Sequence, residues 1–375
     1  MDLVTTWRLI TEDGVTDTFG LAGDEALAGC VGQGRCEPTL RLYTYLPCAL
    51  VGRFQTVANE VRVGQCRAAG VAINRRPTGG GAIVMGADQL GVALTLPGTA
   101  KDAYSRARDM MVRFSAGLVA ALHGMGIDAE FRGKNDVEVA GRKIAGLGIF
   151  RHSSGGLLFH ASLLVDLDVA HMLKVLNTPF EKITGKEIAT VAARASTVRK
   201  ELGRAISLDE VRNRVAEGYG QAFQVTLEPG AFTERERDAI AILERKKYAT
   251  EAWVHQHIDL PDAFGSARKK TPAGLLDIRV TLAGRMVKAV FIGGDFFAAE
   301  GAVAELERVL RWHSARPDAI EGTLRGVFDR RGRELEGIPA AELAETVQMA
   351  VLQASQTGAR EQLNLYGCFV DPRGA

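Results

Sequence analysis

Residues 75–82 read Arg75-Arg76-Pro77-Thr78-Gly79-Gly80-Gly81-Ala82 and join two short apolar segments that are typical of β-strands. Three consecutive glycines let backbone N–H groups approach a ligand closely. Successive N–H groups also form a concavity that suits an anion, and the two arginines can add charge-assisted hydrogen bonds to phosphate or carboxylate. The alternative is a tight turn with two solvated arginines. The stretch is neither a Walker A motif nor a dinucleotide-binding fingerprint.

A second polar stretch contains Asn135-Asp136 and then Gly141-Arg142-Lys143-Ile144-Ala145-Gly146. An adjacent amide and carboxylate supply the oxygen ligands that Mg²⁺ prefers, so Asp136 is a candidate metal ligand. Lys143 begins a predicted strand between glycines, where a ligand can come close. Its compact charge can offset negative charge on a phosphoryl or carboxyl oxygen. Taken alone, Lys143 also fits a solvated hairpin lysine, and Asn135-Asp136 fits a turn initiator.

The composition limits the class of protein. The chain has 375 residues, 46% of them hydrophobic, which is enough for two domains with a sizeable core. The formal net charge is +1, which argues against binding nucleic acid through a broad basic surface. The sequence contains no run of about 18 apolar residues and no secretory pattern at its start, so we expect no membrane span and a cytoplasmic location.

The cysteines also indicate a cytoplasmic protein. There are five, Cys30, Cys36, Cys48, Cys66 and Cys368, and no two are spaced as Cys-x-x-Cys. An odd number at low density argues against a disulfide framework and against a structural zinc site. We therefore expect free thiols in a reducing compartment.

Periodicity predicts the elements around these motifs. The predicted strands comprise two in residues 38–56 around Pro47, with others at Val71–Arg75, Ala82–Val84, Leu90–Leu96, Val137–Val139, Lys143–Phe150 and Leu157–Val165. The predicted helices are 101–126, 168–176, 208–224 and 234–246. Ser207-x-x-Glu210 and Thr233-x-x-Glu236 are capping-box patterns ahead of the last two helices.

A polar segment, His255–Pro272, is punctuated by proline and glycine and is the best candidate for a linker. Beyond it, a hairpin is predicted across Ala283-Gly284, followed by helices at 298–312 and 339–355. We therefore predict one domain over residues 1–254 and a smaller α/β domain over 255–375, with the linker at 255–272.

In order and spacing, these segments resemble one family, the lipoate–protein ligases. The residues that carry the resemblance are Leu21–Leu27, Thr39–Tyr43, Val51–Gln55, Arg75-Arg76-x-Thr78-Gly79-Gly80-Gly81-Ala82, Asn135-Asp136, Gly141–Gly146, His160-x-Ser162, Lys247-Tyr248-Ala249-x-x-x-x-Trp253, Gly274 and Gly294–Phe297. The resemblance reaches about residue 312, whereas residues 313–375 match nothing that indicates a role.

The resemblance implies an α+β fold of mixed and antiparallel sheets with flanking helices, like class II aminoacyl-tRNA synthetases and biotin ligases. It also implies a two-step reaction, in which Mg²⁺-ATP activates lipoate or octanoate as an acyl-adenylate and a protein lysine then takes the acyl group. Lys143 would be the catalytic lysine between carboxyl and phosphate, and Asp136 the metal ligand. The residues that would contact nucleotide and adenylate are Arg76, Gly79, Gly80, Gly81, Ala82, Ile83, Val84, Asn135, Asp136 and Lys143.

The partner implied by the resemblance is an apo lipoyl-domain protein. It could be a 2-oxoacid dehydrogenase E2 subunit, a glycine-cleavage H protein or a specialised lipoate-binding protein. We expect a monomer that binds neither nucleic acid nor membrane.

One departure and two rival functions stay open. Met85 and Gly86 stand where the family usually has His and Asp, which bears on acyl selectivity and nucleotide geometry. A related octanoyltransferase would use a cysteine nucleophile and no ATP. In that branch the cysteine lies just upstream of the strand that precedes the Gly-Arg-Lys segment, and here that region, residues 128–133, contains no cysteine. The other rival is a non-catalytic protein of the same fold that binds acyl cargo or an acceptor.

Overall fold

A computed structural model describes residues 5–98, 107–133, 135–177, 185–255, 263–335 and 337–364. The chain divides into two compact units, Met1–Gln256 and His257–Ala375. Both are α+β. Among the described residues, no helix combines the length and the apolarity that crossing a membrane requires.

The first unit contains two sheets. Its strands are β1 Thr5–Val15, β2 Thr39–Tyr45, β3 Cys48–Val51, β4 Ala72–Arg75, β5 Ile83–Met85, β6 Gln89–Pro97, β7 Ala129–Arg132, β8 Asp136–Val139, β9 Arg142–Arg151, β10 Gly156–Leu164 and β11 Val225–Pro229. Eight strands form the large sheet in the order β11-β1-β2-β6-β10-β9-β8-β7, and three form a small sheet in the order β4-β3-β5. Strand β1 pairs in parallel with β11 and β2, and the other pairs of the large sheet are antiparallel.

Helices pack around these sheets. They are α1 Asp17–Gly32, α2 Val57–Glu60, α3 Val63–Ala68, α4 Ala107–Gly124, α5 Val169–Val175, α6 Gly185–Ala192, α7 Val198–Leu202, α8 Leu208–Phe223, α9 Glu234–Leu243 and α10 Glu251–His255, with a π-helical turn at Glu244–Tyr248. One core cluster joins α1 to the large sheet and to α9, and a second lies around the small sheet.

Local sequence explains why several elements begin and end where they do. The β8–β9 hairpin turns through Ala140 and Gly141, whose φ angles of 47° and 74° fit a two-residue turn that matches the twist of the strands. Helix α9 begins with the predicted capping box, because Thr233 and Glu236 each accept a hydrogen bond from the other's backbone N–H. At α8 the Ser207 side chain accepts from the Glu210 N–H.

In its described residues, the second unit consists of a four-stranded sheet and three helices. Its elements are β12 Ala263–Thr271, β13 Gly274–Ala283, β14 Met286–Gly294, α11 Glu300–Leu310, β15 His313–Ser314, α12 Pro317–Arg331 and α13 Ala340–Asn364, with a 3-10 turn at Gly332–Glu334. The strand order is β12-β13-β14-β15. Helix α13 packs closely on β12, where a Cβ at Gly265 would lie 2.1 Å from the Ala350 carbonyl oxygen.

Most predicted elements are present, and one prediction is wrong. The segment predicted as a linker over 255–272 contains strand β12, whose polar residues Arg268 and Lys269 form ion pairs with Asp277 and Glu345. Residues 256–262 of that segment lie outside the described part of the chain, as do residues 101–106 of the helix predicted over 101–126. The polar composition of this segment led to the prediction of a linker, but charged side chains are also compatible with an edge strand when they form ion pairs.

Candidate active site

Five residues lie side by side across the large sheet and form what we call the transverse row. Tyr43 on β2 pairs with Gly91 on β6, Gly91 with Ser162 on β10, Ser162 with Gly146 on β9, and Gly146 with Asp136 on β8. Four strand intervals of about 4.8 Å give a row about 19 Å long. Because its three central residues are small, the row leaves a trough on the sheet, with an aromatic ring at one end and a carboxylate at the other.

A cavity of about 110 Å³ lies over this trough. Its lining residues are Leu21, Tyr43, Tyr45, Leu50, Arg76, Gly81, Ala82, Ile83, Met85, Gly91, Asn135, Lys143, Gly146, Leu147, His160, Ala161 and Ser162. Apolar and tyrosine side chains come from α1, β2, β3 and β5, whereas Asn135 and Lys143 come from the β8–β9 hairpin and the turn before it. The cavity is therefore suited to a molecule with an apolar tail and an anionic head.

Lys143 extends along the sheet from β9. Its Nζ lies 2.6 Å from Asp136 Oδ1, and both side chains are partly exposed, at 40% and 30%. The lysine passes directly over Gly146, where a Cβ would stand 3.0 Å from Nζ and 3.1 Å from Cε. Glycine at this position therefore makes room for the lysine to reach the cavity.

The backbone of Lys143 is clamped from outside the sheet. Its N–H donates to the Arg194 carbonyl at 3.0 Å, and its carbonyl accepts from the Ser196 N–H at 2.8 Å. Glu201 reinforces this clamp because it accepts hydrogen bonds from Arg142 and from the Ser196 hydroxyl. Burial acts to raise the pKa of Glu201, but these hydrogen bonds outweigh it and leave that pKa lowered.

Both arginines of the glycine-rich stretch have structural partners. Arg75 is fully buried and donates to the backbone carbonyls of Gly52, Arg53, Gln55, Trp253 and Val254. Arg76 lines the cavity, yet its guanidinium donates to the carbonyls of Leu50, Gly79 and Gly81 and to the Thr78 hydroxyl. Burial lowers the pKa of Arg75 to about 9 and that of Arg76 to about 10. The expectation that both arginines would face an anion is therefore wrong for Arg75.

The glycine run is only partly at the cavity. Gly81, Ala82 and Ile83 line it, whereas Gly79 and Gly80 are buried and are not part of its lining. The Gly80 carbonyl lies 2.0 Å from where a Cβ of Gly52 would stand, and Gly80 has a φ of 92°. Val84 is outside the cavity lining and packs in the second core cluster, because neighbouring residues of β5 point to opposite faces. The structure thus brings together part of the set that sequence predicted.

His160 lies at the polar side of the cavity. Its Nε2 is 2.8 Å from the Thr78 hydroxyl oxygen, which joins β10 to the glycine-rich stretch. Burial, assisted by the charge of Arg76, lowers the pKa of His160 to about 3. The imidazole is therefore neutral near pH 7 and acts as a hydrogen-bonding group rather than as a cation.

Sequence reasoning missed a buried polar network at the apolar end. The Tyr43 hydroxyl donates to Asp24 at 2.7 Å and lies 3.2 Å from the Tyr45 hydroxyl, while Arg41 binds Asp24 at 2.8 Å. With the proton of Tyr43 directed to Asp24, Tyr45 must donate to Tyr43. Neither hydroxyl proton points into the cavity, so its wall there is aromatic ring. The signal in the sequence was Arg41 within an otherwise uncharged strand.

Asp136 pairs with Lys143 but is not among the residues that line the cavity, whereas Asn135, its neighbour in the chain, lines it. Asn135 Nδ2 donates to the Leu147 carbonyl at 3.2 Å, which leaves its side-chain oxygen as an acceptor. A carboxylate together with an amide oxygen fits Mg²⁺, which binds proteins through few ligands and keeps waters and substrate phosphates as the others.

Comparison with known proteins identifies the family. The family model for the lipoyl protein ligase A/B catalytic domain matches residues 17–220. The chain belongs to this family. It is 31% identical over 277 residues to octanoyltransferase LipM of Symbiobacterium thermophilum, covering 66% of this chain and 98% of that relative. It is 25% identical over 289 residues to lipoate-protein ligase LplJ of Bacillus subtilis, covering 77% of this chain and 85% of LplJ.

Solved structures agree on the fold. A bi-partite lipoate protein ligase of Thermoplasma acidophilum, studied with its E2 lipoyl domain, superposes with a TM-score of 0.61 at 28% identity over 67% of this chain and 96% of that one. A lipoate-protein ligase A bound with ATP gives 0.59 at 25% identity over 68% and 99%. The chain therefore has the predicted α+β fold, like that of class II synthetases and biotin ligases. It is an enzyme of lipoyl or octanoyl transfer.

Proposed function

We propose that this chain is an ATP-dependent lipoate–protein ligase. It activates lipoate or octanoate as acyl-AMP and transfers the acyl group to a lysine of a lipoyl domain. The observation that carries the proposal is the transverse row, which runs from the Tyr43 ring to the Lys143–Asp136 ion pair. A fatty carboxylate laid along it has its tail against aromatic and aliphatic side chains and its carboxylate beside a cation.

The residues of the site then have distinct tasks. Lys143 offsets negative charge on the carboxylate and the α-phosphate as they approach, which is electrostatic and positional catalysis. Gly81, Ala82 and Ile83 give the nucleotide a wall of backbone, and Arg76 holds that wall in shape through its carbonyl contacts. In the second step the acceptor amine attacks the acyl carbonyl, an amide bond forms and AMP leaves with the electrons of the broken mixed anhydride.

Asp136 and Asn135 would hold Mg²⁺ beside the phosphates. The ion supplies charge neutralisation on the phosphate oxygens when it is bound. Because Asp136 also pairs with Lys143, the carboxylate orients the catalytic lysine whether or not the ion is present.

An octanoyltransferase is the second candidate, because the LipM relative is an octanoyltransferase and is 31% identical. Such an enzyme carries the acyl group on a cysteine thiolate. In the described part of the chain no cysteine lines the cavity. Cys48 and Cys66 are buried in the cores, Cys30 lies near the C-terminal end of α1, and Cys36 lies in the loop after it. This supports the ligase. Cys368 lies outside the described residues and is tested by substitution below.

The acceptor is an apo lipoyl domain, and E2 subunits, H proteins and specialised lipoate-binding proteins are the candidates. We expect the enzyme to work as a monomer in the cytoplasm, where Mg²⁺-ATP is available.

The test measures the intact mass of a purified apo lipoyl domain after incubation with this protein, Mg²⁺-ATP and either lipoate or octanoate. A parallel mixture contains octanoyl carrier protein and no ATP. A mass gain that requires ATP supports the ligase, and a gain only from the carrier thioester contradicts it. Cys368→Ser should retain ligase activity, whereas Lys143→Ala should lose it. If no mixture gives a mass gain, pyrophosphate release is measured without acceptor. Release would show that the enzyme forms acyl-AMP and that the acceptor was the wrong one, whereas no release would indicate a protein that only binds.

A further inference from the structure

Two cysteines that are six residues apart meet at the end of α1. Cys30 lies in the last turns of the helix and Cys36 in the loop that leads to β2, and both are half-buried. Their sulfur atoms lie within 4.8 Å of each other. The Arg35 N–H donates to the Cys30 carbonyl at 3.1 Å, so the backbone already holds the loop closed between them. Because a disulfide has an S–S distance of about 2 Å, the two sulfur atoms have to approach by less than about 3 Å to form one.

The two thiols differ in their position relative to a second cavity. Cys30 lines a second cavity, of about 280 Å³, whose apolar wall includes Ala26, Ala239 and Leu243. Cys36 is outside that lining, and its thiol points to the Leu27 carbonyl oxygen at 3.9 Å. Burial, and next the neighbouring Cys30, raises the pKa of Cys36. A small reagent in this cavity therefore meets Cys30, and Cys36 is the thiol within 4.8 Å of it.

A metal site is the competing use of this cluster, because Glu236 lies within the same 4.8 Å. Its two carboxylate oxygens are already occupied. Oε1 accepts from Arg8 at 2.6 Å, and Oε2 accepts from Arg8 at 2.9 Å and from the backbone and hydroxyl of Thr233. A cation at this point would have to displace the Arg8 guanidinium. The ligands that remain are two thiols, too few for a closed zinc site.

We propose that Cys30 and Cys36 form a redox-active dithiol in which Cys30 attacks a low-molecular-weight disulfide and Cys36 resolves the product. In the first step the Cys30 thiolate attacks one sulfur of the reagent, a mixed disulfide forms and one reagent thiol leaves. In the second, Cys36 loses its proton and attacks Cys30 Sγ, the Cys30–Cys36 disulfide forms and the second reagent thiol leaves. The two cysteines are oxidised by two electrons and the reagent is reduced by two.

The experiment uses the full chain carrying Cys368→Ser, so that only the four described cysteines remain. The protein is incubated with oxidised glutathione, blocked with an alkylating reagent and mapped by peptide mass spectrometry. We expect a cross-linked product of Cys30 and Cys36 that has lost two hydrogen atoms. Cys48 and Cys66, both fully buried, should remain thiols and serve as internal controls. The oxidised protein should melt at a higher temperature, because the bond closes a loop in the unfolded chain.

Two substitutions test the assigned order. Cys36→Ser should accumulate glutathione on Cys30, because nothing resolves the mixed disulfide. Cys30→Ser should accumulate several-fold less glutathione on Cys36. The proposal is wrong if both thiols of the parent protein remain alkylatable, if its mixed disulfide persists, or if Cys36 reacts as fast as Cys30. Stoichiometric Zn²⁺ binding that either substitution abolishes would also overturn it in favour of a metal site.

Discussion

The ammonium group of Lys143 lies 2.6 Å from a carboxylate oxygen of Asp136, and the two residues stand on neighbouring strands at one end of the transverse row. Both side chains are partly exposed, so the pair contributes no more than about 1 kcal/mol to folding. Because Lys143 lines the cavity, we infer that the ion pair serves to position the lysine side chain rather than to stabilise the fold.

Removing the lysine should therefore separate activity from stability. We expect Lys143→Ala to lower acyl transfer to a lipoyl domain by about 10²-fold or more, which is typical for loss of a charge-stabilising group. The melting temperature should stay within a few degrees of the parent. Lys174→Ala, at an exposed helical lysine away from the cavity, is the matched control for charge. Equal activity of the two variants would remove Lys143 from the mechanism.

Gly146 provides a test of the lysine's path. A methyl group at this position would stand 3.0 Å from Lys143 Nζ, so Gly146→Ala should displace the side chain and lower kcat by about 10-fold or more, since small misplacements of catalytic groups are costly. Gly64→Ala is the control, because a Cβ there meets nothing within 4 Å. Steady-state kinetics of both variants decide the question, and an unaffected kcat in Gly146→Ala would contradict it.

Arg75 should matter for folding rather than for chemistry. Its guanidinium is buried and binds backbone carbonyls from the β3 end and from α10. Arg75→Met leaves those carbonyls without a donor, so we expect a loss of roughly 3 kcal/mol or more in the free energy of unfolding. Urea denaturation measures it, with exposed Arg67→Met expected within about 0.5 kcal/mol of the parent. Near-equal values for the two variants would show that the Arg75 contacts contribute little.

His160 makes stability depend on pH. In the folded chain its pKa is about 3, whereas the unfolded imidazole binds a proton below about pH 6.5. Between these values the unfolded state holds more protons, so stability rises with pH through this window and is lost as pH falls. One proton accounts for about 2 kcal/mol between pH 6.5 and pH 5.

Urea denaturation at pH 7 and pH 5 checks this sign. His160→Gln keeps a group that can hydrogen-bond to Thr78 and should lose about that much less stability on acidification than the parent. His123→Gln, at a half-exposed imidazole, should behave like the parent. The idea fails if all three proteins lose stability equally.

Sequence predicted this site best where chemistry is local. Lys143, Asn135 and Gly81 were named from short motifs, and all three line the cavity. The sequence did not show that Arg75 is turned toward carbonyls of residues 253 and 254, because the partners lie about 180 residues away. Nor did it place Val84 on the far side of β5, since a three-residue strand is too short for alternation to be read.

The cavity over the transverse row was missed for a related reason. Its floor consists of single residues from β2, β6, β10 and β9, and no two of them are neighbours in the sequence. Only the register of the sheet brings them together. Asp24 and Arg41 were equally hard to interpret, because a buried charge is recognisable only once its partner is known.

The spacing of the strands also determines the length of the trough along the transverse row. The trough runs across the strands and not along one of them. Each strand that it crosses therefore adds about 4.8 Å to its length, provided that the residue on that strand is small. Gly91 is the small residue next to Tyr43, where a Cβ would lie 3.1 Å from the tyrosine ring. On the proposed function, the number of consecutive strands that present a small residue sets the length of acyl chain that fits the trough, so single substitutions on successive strands would shorten or lengthen it in steps of one strand.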